Sequence, residues 1–103
     1  MKTDRELLEL AAKASGELTA SWYGNDAYFD GVLSRWNPLN DDGDALRLAV
    51  KLTLEVDICL SGVAVRTPHG DKILADDRDE KCIYAATRRA ITRAAAAIGE
   101  SMP

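Results

Sequence analysis

The chain has 103 residues, 47% hydrophobic and 29% charged, with seven Gly and three Pro, which fits a single globular domain over 1–103 and excludes a multidomain enzyme. Thirteen Lys and Arg against seventeen Asp and Glu leave a net charge of −4 and a pI near 4.9, the opposite of a polyelectrolyte that binds DNA. A chain of this size buries roughly 60 to 70% of its unfolded surface, so a core without metals or disulfides is within reach and disorder is not expected.

Met1 to Leu10 alternate charge with leucine and contain no apolar run of the length that a signal peptide or membrane span needs, so a cytoplasmic location with no membrane partner is expected. Thr3 and Glu6 have the spacing of a capping box. A helix is predicted over 4–15, with Leu7, Leu10, Ala11 and Ala14 as its apolar stripe and Ser15-Gly16 as its stop. From Leu18 the period changes to two, and Gly24-Asn25 suits a two-residue hairpin loop with Ala27, Tyr28 and Phe29 returning. Asp30-Gly31 follows so soon that the return strand is either very short or bulged at the glycine.

Asn37-Pro38 breaks the chain, and acidic residues suited to the positive end of a helix dipole precede a second helix near 42–52. Leu54, Val56, Ile58 and Leu60 alternate with Glu55, Asp57 and Cys59, the clearest strand pattern in the protein. Turns at Ser61-Gly62 and Pro68-His69-Gly70-Asp71 extend it into a three-stranded meander. Asp76 to Glu80 read as a second acidic helix start, before a helix near 78–98 with Ile83, Thr87, Ala90, Ile91, Ala94 and Ile98 inside. The fold class is therefore α+β, an antiparallel sheet (meander plus hairpin) packed with three helices in the order α-ββ-α-βββ-α.

Catalytic and cofactor signals are thin. Asn40, Asp42 and Asp44 alternate like the opening of a calcium loop, but Gly43 is misplaced and no bidentate Glu follows, so helix capping is favoured over metal binding. His69 is the only histidine and sits in a turn, which favours a solvated residue over proton transfer. Cys59 and Cys82 are too few for a disulfide framework and are expected to be free thiols, better explained as small buried hydrophobes than as nucleophiles, although a helix start would activate Cys82. No phosphate loop, nucleophile elbow, zincin helix or Cys-x-x-Cys occurs, and no enzyme activity or cofactor is expected. Arg88, Arg89 and Arg93 form a basic edge on the last helix, where a solvated charged face is favoured over contact with phosphate or nucleic acid.

The aromatic residues are unevenly spread. Trp22, Tyr23, Tyr28, Phe29 and Trp36 fall within one short stretch, and only Tyr84 lies elsewhere. If Trp22 and Tyr28 face one way and Tyr23 and Phe29 the other, one small core does not cover both sets, which leaves aromatic anchors for a partner protein or a stacking platform for a base-like ligand. Cover by helix ends and loops is the competing account.

The run Trp36-Asn37-Pro38-Leu39-Asn40-Asp41-Asp42-Gly43-Asp44-Ala45-Leu46-Arg47-Leu48-Ala49-Val50-Lys51-Leu52, with Ala85 to Ile91, Arg93 to Gly99 and the opening Asp4 to Ala14, resembles small proteins of tailed phages and prophages grouped as a phage ABA-sandwich type domain. The resemblance implies a phage-encoded accessory protein made in the bacterial host cytoplasm and carries no catalytic motif with it. Within the run, Trp36 is expected to pack under the turn and Asn37-Pro38 to stop the preceding strand.

These readings converge on a non-enzymatic module that binds a host or phage protein through the aromatic ribbon, inhibition of host antiviral defence being one such role. The alternative is a protein that sequesters a nucleotide or other small ligand, with Arg88 or Arg89 on its phosphate. Free sheet edges leave a homodimer open.

Overall fold

The computed structural model describes residues 2–16, 19–23, 26–29, 35–60, 62–76 and 82–103, with residues 19–23, 26–29, 35, 75 and 76 described through their backbone. Helix α1 (Asp4–Ser15) starts on the expected capping box: Glu6 N donates to Thr3 Oγ1 and Thr3 N donates to Glu6 Oε1, each at 3.2 Å. Gly16 closes it at φ 75°, a left-handed conformation that glycine adopts without a Cβ penalty. The buried face is Leu7, Leu8, Ala11, Ala12 and Ser15, rotated from the expected stripe, with Leu10 and Ala14 half-buried. The rotation presents small side chains to another helix.

Strands β1 (Thr19–Tyr23) and β2 (Asp26–Phe29) pair antiparallel with Tyr23 opposite Asp26, and the loop expected at Gly24-Asn25 lies outside the described residues. The register shifts between Thr19 and Ser21, whereas Gly31 lies outside the described residues. A third strand, β3 (Arg35–Trp36), adds to β2 through Ala27–Trp36 and Tyr28–Arg35. The expected element order lacks it because two residues are too few to display an alternation.

Helix α2 (Asp42–Lys51) is capped by Asp41, whose carboxylate accepts from Asp44 N at 2.8 Å. It ends in a Schellman arrangement: Leu54 N donates to Ala49 O at 2.9 Å and Thr53 N to Val50 O at 3.2 Å. Thr53 itself takes the left-handed position at φ 57°, unusual for a β-branched residue. The chain then enters the predicted meander, β4 (Glu55–Cys59), β5 (Gly62–Arg66) and β6 (Lys72–Asp76), ordered β4-β5-β6.

Register sorts the meander into two faces. Val56, Val65 and Ile73 form one cross-strand row, with Ile58, Val63 and Ala75 beside it on the same face. Val63 and Val65 are buried there against the helices. Glu55, Arg66 and Lys72, with Asp57, Ala64 and Leu74, belong to the other face, where all but half-buried Ala64 are exposed.

Helix α3 (Ile83–Ser101) begins five residues later than expected and ends three later. Asp76 belongs to β6, held by its pairing with Gly62, and residues 77–81, which carry the rest of the acidic run, lie outside the described residues. The N-cap is Cys82, whose Sγ accepts from Ala85 N at 3.3 Å, and the first turn holds no acid. Ala86, Ala90, Ile91, Thr92, Ala94, Ala95, Ala96 and Gly99 are buried, a wider band than the expected stripe, while Ile83, Thr87 and Ile98 are half-buried. Position explains the width. Helix α3 packs on α1, α2, β5 and β6 together.

The tightest point is the crossing of α1 and α3. A Cβ built at Gly99 would overlap the Leu10 carbonyl oxygen and lie 2.9 Å from its carbon, both backbone atoms that no rotamer can move. Gly99→Ala is therefore expected to destabilise the protein by about 1–3 kcal/mol in urea unfolding, although alanine is the better helix former by about 1 kcal/mol.

The capping box also titrates. The hydrogen bond from the Thr3 amide, seconded by the Thr3 side chain, holds the Glu6 carboxyl below its ordinary range. A depressed acid stabilises the fold fully above its unfolded value and loses that contribution as pH falls through the folded one. The protection factors of the amides in the first turn of α1, with the intrinsic exchange rate divided out, should fall as pH drops below the ordinary glutamate value of about 4, and Glu6→Gln should remove that pH dependence.

Candidate functional site

The segment joining β3 to α2 is built around Asn37. Its amide N–H donates to Asp44 Oδ2 at 2.9 Å, its Oδ1 accepts from Leu39 N at 3.0 Å, and its carbonyl accepts from Asn40 N and Asp41 N at 3.1 and 2.9 Å. Asn37 and Asp44 are both buried. Asp44 Oδ1 also accepts from the Arg47 guanidinium at 2.7 Å, a bond that raises the Arg47 pKa. The carboxylates of Asp41 and Asp44 are thus engaged in forming the turn and capping α2, and no group of three or more metal-ligating side chains occurs among the described residues. Trp36 is buried at 5% exposure in the core formed with Leu8, Leu39 and Leu48. Its place is under the turn, and as an exposed aromatic anchor it is corrected.

The basic edge of α3 is not a solvated face either. Arg88 Nε donates to Leu39 O at 2.8 Å and its Nη1 to Asp42 Oδ1 at 2.6 Å, while Arg89 Nη1 donates to Asp4 Oδ1 at 3.1 Å. The two side chains keep only about a fifth of their surface. They act as struts from the middle of the molecule to the starts of α2 and α1, where carboxylates also complement the helix dipoles. Arg93 is half-buried and lines a shallow cleft of about 380 Å³ with Lys2, Asp4, Arg89 and Glu100, in which acids and bases are mixed. A phosphate would find its two foremost cations already engaged.

Cys59 and Cys82 are both exposed free thiols, which corrects the expectation of buried ones. Cys82 serves as a helix cap, and Cys59 Sγ donates to Gly62 O at 3.3 Å across the β4–β5 turn. His69 is exposed in the loop between β5 and β6, where Gly70 takes φ 97° and Thr67 N donates to Asp71 O at 2.9 Å.

What sequence reasoning missed is an apolar groove of about 580 Å³ between α2, β4 and the start of α3. Its walls include Leu46, Val56, Ile58, Ile83, Tyr84 and Ile91, with the Asp42–Arg88 pair on its rim. Leu46, Ile58 and Tyr84 are each more than half exposed. Ile58 lies on the same face of the meander as buried Val63, yet α3 packs over β5 and β6 and leaves this end of β4 uncovered. The exposed hydrophobics come from three elements far apart in the chain, so no single stretch of sequence marks the groove. Tyr84, set apart from the other aromatics, was the one local signal.

Of the aromatic ribbon, Trp22 and Tyr23 belong to β1, and Tyr28 and Phe29 to β2. Trp22 pairs with Ala27, which pairs in turn with Trp36; Tyr28 pairs with Ser21 and with Arg35. The side chains of Trp22, Tyr23, Tyr28 and Phe29 lie outside what is described.

Among the described residues no helix is long and apolar enough to cross a membrane. No protein-family model, curated protein or solved structure matches the chain.

The turn at Asn37 supplies a direct test of this local architecture. Asp44→Ala removes the carboxylate that accepts from the buried Asn37 backbone N–H, and should cost about 1–3 kcal/mol in chemical denaturation. Arg47→Ala, at an exposed partner, should cost well under half of that.

Proposed function

We propose that the chain is a non-enzymatic protein-binding module that acts by occupying a surface on another protein, with the groove between α2, β4 and α3 as its contact site. The observation that carries this reading is the set of large apolar side chains held at the surface around the groove, Leu46, Ile58 and Tyr84, where a monomer gains nothing from exposing them. The engaged carboxylates and guanidiniums around Asn37 and Arg88 support it from the other side, because they hold the walls in place. The sequence resemblance to phage ABA-sandwich type proteins would imply a host or phage protein in the bacterial cytoplasm as the partner, with interference with host antiviral defence as one role for such a surface. Sequestration of a nucleotide draws less support, since Arg88 and Arg89 already meet carboxylates.

Affinity capture from host lysate followed by mass spectrometry tests the reading, with the wild type beside Leu46→Asp and Tyr84→Ala. The expected outcome is a protein retained by the wild type and lost, by roughly tenfold or more in affinity, from both variants at unchanged melting temperature. Trp22→Ala and Phe29→Ala in the same assay report whether the hairpin shares in the contact. A partner held equally by every variant, or stabilisation of the chain by nucleotides alone, would overturn the assignment.

A further inference from the structure

We infer that the free edge of β4 receives an extended segment of the partner protein in which apolar and basic residues alternate, a strand added to the meander. This rests on the protein-binding reading above and gives that contact a chemistry. Among the described residues β4 pairs with β5 alone, so its outer edge offers backbone donors and acceptors that no described strand uses. Apart from the two acids Glu55 and Asp57 the strand is unguarded: Glu55 to Cys59 hold no proline, lysine or glycine, and the register with β5 runs without a bulge. The opposite edge differs, since β6 begins with Lys72.

The two faces of β4 say what the added strand carries. Toward the helices lies the groove, with Ile58 at 58% exposure and Leu46 and Tyr84 across from it. An added strand sends every second side chain to that face, where apolar residues would cover the exposed ones. On the other face stand Glu55 and Asp57, both exposed. Glu55 is opposite Arg66 on β5, whereas Asp57 is opposite Ala64, so the open position for a cation facing Asp57 is on the strand to come. The acidic balance of the chain favours the same sign of partner.

A second copy of this chain is a poorer occupant. Two-fold antiparallel pairing centred on Asp57 sets that carboxylate against its own copy, and pairing centred on Val56 sets Glu55 against Asp57 twice. Like charges directly opposite in a sheet are destabilising. The acidic row therefore resists self-pairing in the registers that overlap most of the strand, leaving only the shorter overlap centred on Ile58 without like charges, while it invites a basic strand in full register.

The probe is a seven-residue peptide alternating isoleucine and lysine, titrated into the full chain up to about 1 mM. Two further peptides replace every lysine by glutamate, or keep the composition but separate the isoleucines from the lysines. The alternating basic peptide should bind about tenfold more tightly than either and slow amide exchange at residues 55–59. Asp57→Lys, at an exposed position, should move the preference toward the glutamate peptide, and Ile58→Asn should weaken both. Equal binding of the three peptides, no binding at all, protection confined to other elements, or indifference to Asp57→Lys would overturn the inference. Concentration-dependent protection of 55–59 without peptide would name the second copy as occupant and overturn it as well. Should the peptides fail while Leu46→Asp and Tyr84→Ala still abolish capture of a protein, the strand-addition idea falls and the binding module stands; should neither succeed, both fall.

Discussion

The fold depends on how closely two helices approach each other. Nine of the seventeen buried hydrophobic residues described are alanine, which brings little apolar area to a core, so stabilisation has to come from dispersion at short range. Gly99 against the Leu10 backbone sets that range. With α1 drawn in, α3 settles over β5 and β6 and touches α2 on its other flank, and the larger side chains Leu8, Trp36, Leu48 and Val65 complete the packing around it.

Arginines then fix the angles that alanines leave loose. Arg88 and Arg89 leave one helix at consecutive positions and end on Asp42 and Asp4, each in the first turn of a different helix. Ion pairs this close to the surface contribute at most about 1 kcal/mol apiece, so their effect is on orientation more than on stability. The geometry they set has a remainder. Helix α3, laid on β5 and β6, leaves the inner face of β4 short of cover, and the apolar groove is that shortfall.

Local rules account for the parts of the fold that were legible in the sequence. Thr3 and Glu6 act within one turn and the alternation from Val56 to Ile58 within one strand, so each could be read without knowing what lay nearby. Where tertiary context decides, reading failed. Asp76 looked like part of a helix start, but sheet pairing claims it and a cysteine caps the helix. The arginines looked solvated because their partners lie 46 and 85 residues away. Both thiols were expected inside and are exposed. The groove was invisible for the same reason, being made of residues whose exposure follows from where α3 stops covering β4. Ile58 shares the alternation of Leu54 and Val56, and it is surface only because α3 stops short of it.

Thr53 links α2 to β4, the two elements that frame the groove, through a left-handed backbone that costs a non-glycine residue about 1–2 kcal/mol. Two hydrogen bonds back to Ala49 and Val50 hold it there. Glycine would relieve that torsional load but widen the range of angles open to the joint, so the threonine trades resilience for stiffness: the mouth of the groove keeps its shape before anything enters, and a visitor need not spend its own binding energy setting the walls.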